Sequence, residues 1–463
     1  MLDLHEFIRA GRSKKATSWI TDPLRSVLCN FLWPYFRTLL MTSENLHREL
    51  QDLRRELQER QDQLTGELAK IIVAYAELRS ELAAVINPQV CVERPIDVSQ
   101  MPSYLFVLSS TCQMYSGTGT AVFDWIRHTK SDFQFSVLMD MENSENFEIT
   151  AKFCRDHGLP LHASAPLVMP GCPDSGVKDI AIHLRRHRYD YIECISWANT
   201  STNLGVLASK PADAKLIFTP HSQPVWTLPG HSRFFLTSTI FDRMLKYADA
   251  VFVDSPLEKK LPEFSGARSE NIHFVPLGVD TAKFRNSDTH LPYHVVCVCD
   301  CREPRKRVDI LLTAFSLALD MQPKLQLTLA GKGSEAVSIP DNAAKNVSLL
   351  GYVDSEQLVR LYQNAALFVL MSDYEAFGLP IAEALCCGTP VLISEQDALG
   401  GLFGDLPGVN WTQNTDIRLT AEKISLLAAG GFSFSSISKA ASARFAFENT
   451  YGKKRDILLN LAR

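Results

Sequence analysis

Ala366-Leu-Phe-Val-Leu-Met371-Ser-Asp-Tyr-Glu375-Ala-Phe-Gly378-Leu-Pro380-Ile-Ala-Glu383-Ala-Leu-Cys-Cys-Gly388-Thr-Pro390-Val-Leu-Ile-Ser394 is the stretch on which the fold turns. Its first six residues are apolar and rich in strand formers, the texture of a strand buried on both faces of a parallel sheet. Thr389-Pro-Val-Leu-Ile393 reads as a second such strand. The segment between them carries a helix's punctuation. Pro380 suits a first helical turn, and Gly388 suits the left-handed residue just past a helix end. The order strand, Gly-containing turn, short helix, strand sets the turn at the carboxyl edge of a sheet. Backbone N–H groups of the helix start then face whatever binds there.

Two carboxylates flank that turn. Glu375 precedes the helix and Glu383 lies inside it. Carboxylates accept hydrogen bonds from hydroxyls, so the pattern suits a ligand with an anionic centre and hydroxylated arms. A diphosphate at the helix start, with sugar and ribose hydroxyls at the acids, has that shape. An ordinary strand–helix–strand crossover with solvated acids fits the residue types as well.

Upstream, a second α/β domain opens at His294-Val-Val-Cys-Val-Cys-Asp-Cys301. Cys297, Cys299 and Cys301 alternate and read as thiols on one strand face; no His or second cysteine pair stands near enough in sequence to make a metal site. Arg302-Glu-Pro-Arg305-Lys306-Arg307-Val-Asp309 gathers four cations at a helix start. That opposes the helix dipole unless an anion offsets them. From Tyr104 an earlier series of short apolar strands alternates with helical stretches: Tyr104–Leu108, Phe135–Leu138, Tyr191–Ile195, Leu216–Thr219, Ala250–Val253 and Ile272–Val275. This is the texture of a doubly wound α/β domain. Ser116-Gly117-Thr-Gly119 follows the first of these strands, either a close-approach loop or a plain turn. His221 follows the fourth, again at a carboxyl edge.

The Glu375–Glu383 stretch resembles the E-x7-E signature of retaining family-4 glycosyltransferases of the GT-B fold, down to Glu-Ala-Phe-Gly-Leu-Pro and Gly-Thr-Pro-Val. The similarity runs from about residue 103 to the C-terminus. It implies two Rossmann-like doubly wound domains facing a cleft: an N-terminal, acceptor-binding domain over 103–288 and a C-terminal, nucleotide-sugar domain over 289–430. A C-terminal helix over 431–463 crosses back, its last stretch Arg444–Leu461. Val275-Pro-Leu-Gly-Val-Asp280 resembles the family's hinge, with Gly278 and Asp280 as turn residues.

By the same resemblance Glu375 contacts the donor sugar, and backbone groups of Phe377, Gly378 and Leu379 hold sugar and diphosphate. Glu383 binds the ribose. Arg302 and Lys306 bind the diphosphate, with Arg305 an alternative to Arg302, because the Arg-to-Lys gap is one residue short and Arg307 stands where the family has glycine. Tyr352 and Val353 face the base, Gly117 lines the cleft, and His221 bonds the sugar. The catalytic set so implied is His221, Arg302, Lys306 and Glu375. The implied reaction moves a hexose, with retention, from a UDP- or GDP-linked donor to a hydroxyl of a glycan or lipid-linked glycan in cell-envelope or exopolysaccharide synthesis. Neither a metal nor another cofactor is expected. A GT-B-like epimerase, a phosphorylase, or an inactive scaffold are the rival readings.

The N-terminal hundred residues differ in texture. In residues 1–42, Leu24, Val27, Leu28, Phe31, Tyr35 and Leu39 recur at helical spacing, broken by Pro23 and Pro34. They form either an interfacial membrane helix or a helix packed on protein. Over 43–87, Leu46, Leu50, Leu53 and Leu57, and later Leu78, Leu82 and Val85, step by threes and fours between charged residues. That pattern predicts a coiled coil and homo-oligomerisation; a long helix folded back on the body is the alternative. Residues 88–102, with three prolines, read as a linker.

A chain of 463 residues exceeds one ordinary domain, and 46% hydrophobic residues suffice for large cores. A net charge of −5 without a basic, aromatic stripe gives no support for a nucleic-acid partner. With 11 scattered cysteines and neither a secretory leader nor a long apolar run, the expectation is a cytoplasmic protein, peripheral on the inner face of the membrane if residues 1–42 bind lipid.

Overall fold

The computed structural model describes residues 101–109, 117–141, 143–164, 174–197, 199–221, 235–261, 264 and 266–461. The expected amphipathic segment, coiled coil and nearly all of the linker lie outside these residues.

The first sheet has seven parallel strands: β1 (Ser103–Leu108), β2 (Gln134–Asp140), β3 (Leu161–Ser164), β4 (Tyr191–Ile195), β5 (Lys215–Thr219), β6 (Ala250–Val253) and β7 (Ile272–Phe274). They lie in the order β3-β2-β1-β4-β5-β6-β7. β1 shows why both faces must be covered. Tyr104, Phe106 and Leu108 enter one apolar cluster with Trp125 and Phe135, whereas Leu105 and Val107 enter another with Phe218 and Phe241. Helices α1 (Gly117–Thr129), α2 (Ser144–His157), α3 (Asp174–Arg186), α4 (Thr200–Ser209) and α5 (Phe235–Tyr247) contribute to the covering layers, and Tyr451 and Leu458 near the C-terminus join the first cluster.

The second sheet repeats the plan with β8 (Leu291–Val298), β9 (Gln326–Ala330), β10 (Val347–Leu349), β11 (Ala365–Leu370), β12 (Val391–Ser394) and β13 (Val409–Thr412), in the order β10-β9-β8-β11-β12-β13. Its helices are α6 (Val308–Met321), α7 (Ser355–Asn364), α8 (Leu379–Cys386), α9 (Asp397–Phe403), α10 (Ile417–Leu427) and α11 (Phe434–Phe445), followed by α12 (Phe447–Leu461). In both sheets the order in which strands are added reverses between the first and fourth strands. In parallel α/β sheets ligands bind outside the carboxyl ends of strands at that reversal, here between β1 and β4 and between β8 and β11. The expected pair of doubly wound domains is therefore present.

Three details differ from the sequence reading. The closing helix breaks at Ala446, whose ψ of 143° is extended. There Val279 donates its N–H to the Phe445 carbonyl at 2.7 Å, so the two chain crossings between the domains run side by side. Gly278 is needed for close approach rather than for a turn, since a Cβ there would stand 2.6 Å from atoms of both Phe447 and Thr450. Asp280 does make a turn, its carboxylate accepting from the Ala282 and Lys283 N–H groups. Cys299 and Cys301 lie beyond the end of β8; their sulfurs still form a ladder with Cys297, at 3.9 and 3.8 Å.

α12 crosses back to the first domain and is fastened there. Lys454 Nζ donates to both carboxylate oxygens of the fully buried Glu193 on β4, at 2.7 and 3.0 Å. Glu193 also accepts from the hydroxyls of Tyr104 and Thr219. Tyr191 donates to the Leu458 carbonyl at 2.7 Å. A buried ion pair supplied with this many hydrogen bonds is the kind that tolerates loss of water.

Candidate active site

The reversal between β8 and β11 brings together two loops that lie about seventy residues apart in the chain. After β8 the chain turns through Asp300–Arg302 and a single 3-10 turn, Pro304–Lys306, before α6. After β11 it runs through Ser372–Gly378 into α8. Hydrogen bonds to backbone carbonyls lock the loops together. Asp373 N–H donates to the Arg305 carbonyl at 2.8 Å, and Arg305 Nη1 donates to the Tyr374 carbonyl at 2.8 Å.

Lys306 and Glu375 meet at this junction. Lys306 Nζ donates to Glu375 Oε1 at 2.5 Å, and the side chains are only 12% and 8% exposed. The same oxygen accepts from the Ser372 hydroxyl at 2.5 Å. Arg305 Nη1 lies 3.9 Å from the other oxygen. Arg302 instead forms a two-point pair with Asp300, at 2.9 and 2.6 Å, on an exposed surface. Arg305, rather than Arg302, is thus the arginine that stands with Lys306. Arg307 adopts a left-handed backbone, φ 47°, which glycine occupies without strain. Its guanidinium spans Asp309 and Asp373, tying the two loops once more.

Gly378, the residue just before α8, has φ 80° and offers no side-chain cap. The first N–H groups of α8 are therefore not taken by a capping side chain, and Pro380 within the first turn contributes none. Phe377 is buried and Leu379 nearly so. One turn further, Glu383 is buried and accepts from the Tyr362 hydroxyl at 3.1 Å. Burial pushes its carboxyl up to about 8, which favours the protonated acid over the carboxylate.

The remaining expected residues sit at the same edges. Tyr352 is 63% exposed and Val353 follows it in the β10–α7 turn, which Gly351 fastens to Gly331 and Ser334 beyond β9. Gly117, exposed with open space around it, begins α1 beyond β1. His221, two residues past β5, has φ 55°, and its Nδ1 lies 3.2 Å from Asp254 Oδ2, both side chains nearly buried. Among the described residues no group of three or more His, Cys, Asp or Glu is placed to hold a metal ion.

The sequence reading missed two residues. Gln396, just past β12, accepts the Glu375 N–H at 2.7 Å and donates to the Ser372 carbonyl and Ser394 hydroxyl, which shapes the turn before α8. Asp254 orients His221. Ser255-Pro-Leu-Glu258 beside it carries the S-x-x-E capping pattern, which could have marked that strand end. The Glu258 carboxylate indeed accepts the Asp254 and Ser255 N–H groups.

Residues 116–278 match the family described as Glycosyl transferase 4-like domain, and residues 281–441 match Glycosyl transferases group 1. Among curated proteins, the chain is similar to the D-inositol 3-phosphate glycosyltransferase of Segniliparus rotundus, 30% identical over 36% of this chain and 42% of the relative. It is also similar to the mannosylfructose-phosphate synthase of Agrobacterium fabrum, 27% identical over 46% and 55% respectively. The chain thus spans about half the length of these curated relatives. Among solved structures, Anabaena HepE in complex with UDP and glucose superposes with a TM-score of 0.61 at 17% identity, covering 78% of this chain and all of that one. The fold is GT-B.

Proposed function

The chain belongs to the glycosyltransferases that join a 4-like domain to a group 1 domain, and on that premise we propose that it moves a hexose from a nucleoside diphosphate sugar to a hydroxyl of a glycan or lipid-linked glycan, with retention. The observation that carries this reading is the Lys306–Glu375 pair, set at the β8–β11 reversal beside the uncapped start of α8. The bound UDP and glucose of the Anabaena structure support the donor class, and GDP remains the other candidate nucleotide.

In this mechanism the C1–O bond to the diphosphate breaks and negative charge grows on the β-phosphate. In this scheme Lys306, Arg305 and the N–H groups of Gly378 and Leu379, ahead of Pro380, meet that charge and stabilise the transition state more than the ground state. Glu375 accepts from donor-sugar hydroxyls. Glu383, once ionised, accepts from the ribose, and the exposed ring of Tyr352 offers a face to the base. Asp254 occupies His221 Nδ1, which leaves Nε2 as the ring nitrogen that meets a sugar hydroxyl. The acceptor oxygen forms its bond to C1 on the face the phosphate leaves, and its proton passes to the departing phosphate. The cations neutralise the leaving group in this scheme, so it requires no metal. If residues 1–42 bind lipid, they bring the enzyme to a membrane-bound acceptor.

A panel of UDP- and GDP-hexoses, each with and without an acceptor extract, tests the reading. Nucleoside diphosphate release that depends on acceptor, with an NMR time course showing a retained anomer, is expected. Product formed without acceptor would identify an epimerase, and an inverted anomer would contradict the retaining mechanism.

A further inference from the structure

Beside the Glu375 turn lies a cleft of about 680 Å³ that the donor reading leaves unused. It is bounded by Leu257, just beyond β6 of the first domain, and by the carboxyl ends of β11, β12 and β13 of the second. Its volume lies within the range of about 300–1,000 Å³ common for small-molecule sites. Its chemistry is opposite to that of the diphosphate side. Asp373, Glu395 and Asp397 line it, and no Lys, Arg or His does so among the described residues. Two half-buried aromatic residues, Tyr374 and Trp411, complete the wall.

The cleft joins the proposed transfer point. Tyr374 adjoins Glu375 in the chain, and Gln396, another wall residue, holds the Glu375 N–H. Arg307 partly offsets Asp373 at 3.2 Å, and Gln413 donates to Glu395. Asp397, at the exposed start of α9, has no ion-pair partner among the described residues.

A pyranose has an apolar face of C–H groups that packs on aromatic rings and a rim of hydroxyls that donate to carboxylates and amide oxygens. Aromatic walls with carboxylates and an amide therefore suit a sugar. We propose that this cleft is the subsite for the acceptor glycan and that it takes neutral or amino sugars in preference to acidic ones. The proposal rests on the transferase reading above and names the class of acceptor. An ammonium gains from the carboxylates, and a sugar carboxylate meets like charge with no Lys, Arg or His lining the cleft among the described residues. Two partly solvated charges a few ångströms away weaken binding of the acidic sugar roughly tenfold.

Saturation-transfer NMR on the full chain with UDP present tests this, using methyl α-mannoside, glucosamine and glucuronate at equal concentration. The expected result is strong transfer to the first two and about a tenth as much, or less, to glucuronate. Trp411→Ala should abolish the mannoside signal while UDP affinity stays within about twofold of wild type. Asp397→Asn, an exposed change that leaves the fold alone, should weaken glucosamine and strengthen glucuronate. Equal signals from all three sugars, no signal from any, or a mannoside signal that survives Trp411→Ala would overturn the proposal. Loss of UDP binding by the wild type would instead count against the donor site.

Discussion

Lys306→Met removes the ammonium at the junction of the two loops while keeping most of the side chain's volume. Glu375 Oε1 loses its 2.5 Å partner and remains 8% exposed. Two groups stay to support it, the Ser372 hydroxyl at 2.5 Å and Arg305 at 3.9 Å from the second oxygen. Breaking a buried ion pair costs about 3–5 kcal/mol when the survivor is left alone, so two remaining partners put this case nearer 2–3 kcal/mol. Glu375→Gln should cost less, about 1–2 kcal/mol, because a lysine head can turn toward solvent. The two changes share one contact, so the double variant should recover about 1–3 kcal/mol relative to the sum. Urea unfolding at pH 7 reads all three. Turnover should respond more strongly, since losing one charge-stabilising contact costs about 3 kcal/mol of activation, roughly a hundredfold. A Lys306→Met enzyme within about 0.5 kcal/mol of wild-type stability, and within a few-fold of its turnover, would refute the reasoning.

Gly378→Ala places a side chain at φ 80°, which costs about 1–2 kcal/mol, and should lower UDP affinity in calorimetry because the start of α8 must shift. Lys454→Met leaves Glu193 buried with only two hydroxyl donors and should cost about 3 kcal/mol in urea unfolding, with earlier proteolysis of α12. Glu383 gives a pH signature. Its carboxyl rises from 4.5 to about 8 on burial, so the stability its neutral form contributes is full below about pH 4.5 and lost as pH rises toward 8. The wild-type melting temperature should therefore fall between pH 5 and 9 more steeply than that of Glu383→Gln, and parallel curves would contradict the assignment.

The strand–turn–helix–strand order around Glu375 was legible because its signals are local. Pro380 stands in the first turn of α8 and Gly388, at φ 89°, follows the helix. β3 and β13 escaped notice because four-residue strands such as Leu161-His-Ala-Ser164, half exposed and partly polar, carry too little alternation to read. The contacts that make a site were less visible still. Lys306 meets Glu375 only because β8 and β11 are neighbours in the sheet, a pairing that spacing in the chain does not encode. Gln396 and Asp254 were silent for the same reason, since their partners lie on other strands. The different settings of Arg305 and Arg302 were not legible in the sequence, because they depend on Asp300 pairing with Arg302 while Arg305 reaches the Tyr374 carbonyl.

The most direct test is a crystal structure of the chain with an intact nucleotide-sugar. The diphosphate should lie within about 3 Å of Lys306 Nζ and of the first N–H groups of α8, with the ribose hydroxyls on Glu383. A donor bound elsewhere, with Lys306 still closed on Glu375 and nothing at the start of α8, would contradict the proposed site.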